Sequence, residues 1–147
     1  MRARTALATA GLAIATGLML AGSAAPAAAP GSGGRAASAA EARAITTAFR
    51  SSPLGGVNKV PKAQYRITRI RVSSLAPTWA TAQQVATAAG RNTFQPGYGV
   101  LVRLANTANA PGPWVLVDVG TAFVGCDVAP ARVLANLRLS CPSGQRL

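Results

Sequence analysis

The chain has 147 residues, with 15 lysines and arginines against three acids and no histidine, giving a formal net charge of +12. Without histidine it lacks the usual general base, proton shuttle and zinc ligand. The acids Glu41, Asp118 and Asp127 stand one to a segment and form no recognisable carboxylate pair or metal-ligand set, so no cofactor and no metal are expected.

Arg2 and Arg4 precede an uncharged apolar run from Ala6 to Ala21, and Ala25-Pro26-Ala27 is a small-residue cleavage signal. This pattern reads as a secretory signal peptide over residues 1–27, and no later stretch is long and apolar enough for a stop-transfer segment. The expected location is therefore extracellular. Beyond residue 27 lie 13 of the basic residues and all three acids, a net charge of about +10. Residues 28–37, rich in Gly, Ala and Pro, read as a flexible linker. A single domain is expected over 38–147.

Ser38-Ala39-Ala40-Glu41 has the S-x-x-E form of a capping box. Ile45 and Phe49 follow at i, i+4, which predicts a helix over about 39–51 with one apolar face, ended by Ser52-Pro53. Tyr65–Ser73 alternates like a strand, but its period slips by one. A bulge near Thr68–Arg69 puts Tyr65, Ile67, Ile70 and Val72 on one face and Arg66, Arg69 and Arg71 on the other. Trp79–Thr87 and Tyr98–Leu104 predict two further strands, and Asn106–Pro113 a turn. Trp114–Val119 is an almost unbroken apolar run, as expected of a strand buried, or nearly buried, on both faces.

Asp127 with Pro130 reads as a helix start, and Val133, Leu134 and Leu137 form one stripe. Two cysteines in an exported chain predict one disulfide, Cys126–Cys141. A continuous helix over 127–140 would span roughly 20 Å, too far for the roughly 4.4–6.8 Å between disulfide α-carbons. The prediction is a helix of about two turns with extended flanks.

Together these elements predict an α+β fold. An N-terminal helix packs on a curved four-stranded antiparallel sheet, with a short disulfide-clamped helix at the C-terminus. A helix cradled by such a sheet resembles cystatin-like and NTF2-like topologies, a likeness of fold alone.

Three pieces, Pro77-Thr78-Trp79-Ala80, Trp114–Thr121 and Val124-Gly125-Cys126 with Cys141-Pro142, together resemble a group of small secreted actinobacterial proteins of unassigned function. The resemblance spans about residues 40–142 and implies secretion and a shared fold, not catalysis. Gln83-Gln84-Val85-Ala86-Thr87 and Pro113-Trp114 stand in the order of the two cystatin hairpins that wedge into papain-like proteases, although Thr87 replaces the motif glycine. That resemblance implies turns at both places and supplies the alternative function, protease inhibition.

Asp118, inside an apolar run, is expected to pair with an arginine, since an unpaired buried charge is costly. Trp79 and Trp114 are expected to pack in the core. Basic residues cluster at Lys59, Lys62, Arg66, Arg69 and Arg71, which makes them the candidate binding residues. The expected function is that of a secreted non-enzymatic basic domain whose partner is an anionic envelope polymer or another protein. Nucleic-acid recognition lacks support, because no aromatic residues interleave with the basic ones.

Overall fold

A computed structural model describes residues 33–106 and 111–142. The expected signal peptide, the first part of the expected linker and the tip of the Asn106–Pro113 turn lie outside these residues.

Helix α1 covers Ala39–Ser51. The capping box forms in both directions: the Glu41 amide donates to Ser38 Oγ at 3.3 Å, and the Ser38 amide donates to Glu41 Oε2 at 2.9 Å. Ile45 and Phe49 are fully buried, each stabilising the fold by about 1.5–3 kcal/mol. Ser52 ends the helix in an extended conformation, because the ring of Pro53 disfavours helical backbone in the residue before it.

The sheet is antiparallel and open, with β1 (Arg35–Ala36), β2 (Tyr65–Val72), β3 (Trp79–Ala86), β4 (Gly97–Ala105) and β5 (Pro111–Gly120) in spatial order. It therefore has five strands where four were expected. The fifth, β1, lies in the stretch read as linker and pairs Arg35 with Val72 and Ala36 with Arg71. Composition hid it, because two residues carry no period and the pairing comes from distant parts of the chain. Arg71 Nη2 donates to the carbonyls of Gly33 and Gly34, and the Gly34 amide donates to the carbonyl of Asn136.

The slip in β2 is a bulge. Thr68 pairs with Gln83 and Arg71 with Thr81, so Arg69 and Ile70 together face Ala82. Tyr65, Ile67, Ile70 and Val72 all pack into the core beneath α1, as the alternation predicted. Burial raises the Tyr65 phenol above its ordinary range, while the nearby Arg50 charge lowers it less.

Both faces of the sheet carry a core. On the α1 side, Ile45, Phe49, Tyr65, Leu101 and Leu116 pack together. On the other side, Val100 packs with Val124, Ala129 and Leu134 from the C-terminal segment. Adjacent Val100 and Leu101 are each fully buried, in opposite cores. β4 is thus buried on both faces, and β5 reaches both cores as well, with Trp114 and Leu116 in the first and Val117 against the second. In β5 burial alternates, and Val115 is 38% exposed, because β5 is an edge strand. A bulge at Val117, where Val100 pairs with Asp118 and Leu101 with Leu116, turns Asp118 toward the C-terminal segment.

Helix α2 is short, Ala131–Asn136, and its N-cap is Pro130. The expected cap at Asp127 does not form. Residues 121–129 make turns instead, with Gly125 at φ +88°, and Pro130 keeps Ala129 out of helical backbone. The flank before α2 is therefore turned rather than extended. Cys126 and Cys141 are joined, with their α-carbons 5.6 Å apart, within the range that ruled out a longer helix. At its far end α2 is pinned by Asn136, whose Oδ1 accepts from Ser73 Oγ and the Ser74 amide, both at 2.9 Å.

Candidate functional site

Among the described residues the acids are largely spent inside the fold. Glu41 takes both ends of the Arg35 guanidinium at 2.6 and 2.7 Å, and that bidentate contact holds its carboxyl down at about 2. Asp118 does not find the arginine expected for it. Its two oxygens accept from the backbone amides of Val119 at 2.8 Å and Gly125 at 2.5 Å. The bulge and the Gly125 turn aim these donors, and amides satisfy a carboxylate as well as a cation does. Asp127 is exposed.

Of the basic residues named from the sequence, Lys59 and Lys62 precede β2, and Arg66, Arg69 and Arg71 stand on it. Lys59 and Lys62 are exposed in 3-10 segments that link α1 to β2, and Arg66 is exposed on β2. Arg69 and Arg71 meet in a cleft of ≈ 500 Å³ between β2 and the chain that leaves α2. One wall is Ala36, Arg69, Ile70 and Arg71; the other is Leu137, Arg138 and Leu139; Thr81 and Tyr98 form the floor. The Arg71 guanidinium is half committed, bracing β1 through its Nη2, and its buried Nε has no partner among the described residues.

Arg138 was missed by the sequence reading. It stands 67 positions after Arg71, and only the return of the chain through α2 brings it to the cleft. Its backbone explains its aim. The Leu139 amide donates to the Leu134 carbonyl at 2.8 Å and the Arg138 amide to the Ala135 carbonyl at 3.0 Å, the paired bonds of a Schellman cap. Arg138 holds the left-handed position of that cap at φ +63°, where glycine is the usual occupant.

Arg69 occupies an equivalent place in a strand. It is the first residue of the β2 bulge at φ +47°, again a position that usually takes glycine. Each such arginine costs about 1–2 kcal/mol of backbone strain. Neither guanidinium has a hydrogen bond or ion pair among the described residues. Two unpaired cations are therefore held, at an energetic cost, on opposite walls of one cleft with apolar sides. Such a cleft can hold an anion; the described residues around it include no carboxylate, thiol or hydroxyl–base pair arranged for bond-breaking.

The segments expected to form inhibitory turns are strands. Gln83–Ala86 lies in β3 between β2 and β4, with Gln84 only 8% exposed, and Trp114 in β5 is 6% exposed. Trp114 packs in the core as expected, and Arg103 lies over its ring at 5.6 Å. Trp79 is half-buried against the second core.

Comparison with protein-family models, curated proteins and solved structures finds no match to this chain.

Proposed function

We propose that the protein is an exported, non-enzymatic basic domain that binds anionic components of the cell envelope, with the Arg69–Arg71–Arg138 cleft at the centre of its contact surface. One observation carries this reading: Arg69 and Arg138 each occupy a glycine position at a cost in strain, and both line the same cleft without a carboxylate partner. Strain kept at two places that share a cavity is a mark of function. The net charge of about +10 beyond residue 27 extends the attraction beyond the cleft. The leader-like residues 1–27 and the Cys126–Cys141 disulfide, a bond typical of oxidising compartments, support export. No helix among the described residues is long and apolar enough to cross a membrane.

The test is adsorption of the purified protein to isolated cell envelopes across a salt series. Adsorption at low salt should decline as salt rises through the range where the screening length drops below about 10 Å. The double variant Arg69→Glu/Arg138→Glu should lose most of it, while Lys59→Glu/Lys62→Glu should retain most. Equal losses from the two pairs would reject the cleft as the centre of contact.

A further inference from the structure

A second cavity of ≈ 200 Å³ adjoins the cleft and shares Tyr98, Arg138 and Leu139 with it. Its outer margin is the Thr121–Val124 turn, where Phe123 is 60% exposed at φ +54°. Arg69, Phe123 and Arg138 are the three non-glycine residues with positive φ among the described residues, and all three border this one trough. A large aromatic residue is among the least suited to left-handed backbone, and exposing its ring gains nothing from burial. Its carbonyl accepts from the Cys126 amide at 3.3 Å, a bond any residue there could make, while its ring stays mostly exposed. The trough thus combines a cationic cleft, apolar sides from Leu137 and Leu139, and an exposed ring at its rim.

We propose that this trough docks on the surface of an anionic phospholipid membrane, with a lipid phosphate between Arg69 and Arg138 and the Phe123 ring in the interfacial layer. The inference rests on the anion-binding reading of the same cleft and adds to it the source of the anion. Charge complementarity selects the lipid: a basic surface near an anionic leaflet gains with every cation it brings to the surface. A soluble polyanion would satisfy the arginines equally well but would leave the ring in water. The interface is where an aromatic ring beside cations is stabilised.

Two probes separate the two readings: vesicles of phosphatidylglycerol, with phosphatidylcholine vesicles as control, and soluble polyphosphate. The variant Phe123→Asn suits left-handed backbone better than phenylalanine does, so loss of fold does not confound it. Wild type should bind phosphatidylglycerol vesicles and polyphosphate but not phosphatidylcholine. Phe123→Asn should weaken vesicle binding about tenfold and leave polyphosphate binding unchanged. Vesicle binding by Phe123→Asn equal to wild type would overturn the membrane proposal, and anion binding would stand if Arg69→Glu/Arg138→Glu still abolished polyphosphate binding. Wild type that bound neither probe would overturn both.

Discussion

Glu41 is the residue whose ionisation matters most to the fold. Its carboxyl sits at about 2 against an ordinary value of 4.5, held down first by the Arg35 guanidinium and then by the Ser38 donors. A depressed carboxyl contributes stability that is complete above the ordinary value and is lost as pH falls toward 2. Thermal unfolding followed from pH 6 to pH 2 should show the melting temperature falling mainly in that lower window. Glu41→Gln should flatten the window and, because glutamine keeps the capping box and loses only the ion pair with Arg35, destabilise by no more than about 1 kcal/mol at pH 7. Gly99 gives a second test at this scale: a β-carbon there would lie 2.3 Å from Phe49 Cε2 and 2.7 Å from Leu116 Cδ1. Gly99→Ala should cost about 1–3 kcal/mol in denaturant unfolding. Local chemistry made Glu41 legible in sequence, since a capping box is complete within four residues. Asp118 and Asp127 were misread because their surroundings depend on where bulges and turns fall. A carboxylate among apolar residues calls for donors, but sequence does not reveal whether backbone or side chain supplies them.

The long elements were legible because each carries its own period. Helix α1 has its predicted bounds, and the four long strands begin and end within three residues of expectation. Strand β1 and the true margins of α2 were not, since both are set by tertiary contacts: Arg71 reaching Gly33 and Gly34, and the turn at Gly125. The cleft is an element-scale feature of the same kind, half legible. Arg69 and Arg71 stand on a recognisable strand, but the wall bearing Arg138 exists only because the Cys126–Cys141 loop folds back. Replacing both cysteines with serine should cost about 3 kcal/mol and, by loosening the Leu137–Leu139 wall, reduce polyphosphate binding more than wild type unfolded to the same degree would show. The two left-handed arginines give the sharper contrast. Arg138→Gly and Arg69→Gly should each raise stability by about 1 kcal/mol while weakening anion binding, measured as melting temperature and polyphosphate affinity on the same samples. If stability rose with no loss of binding, the strain would have no functional explanation.

For the molecule as a whole, total charge was readable at once and its distribution was not. The sequence grouped five cations by proximity in the chain, and the fold adds Arg138, from the far end, to Arg69 and Arg71 at one cleft. Finally, the contact between the Gly34 amide and the Asn136 carbonyl has a consequence for the order in which the fold is made. Residue 34 leaves the ribosome about a hundred residues before residue 136, so Arg35–Ala36 meets its partner β2 early, while the bond that fixes Gly34 waits for the C-terminal segment. Contacts of such separation form slowly, because loop closure must precede any gain from pairing. This edge of the sheet is therefore completed only after almost all of the described chain has been synthesised.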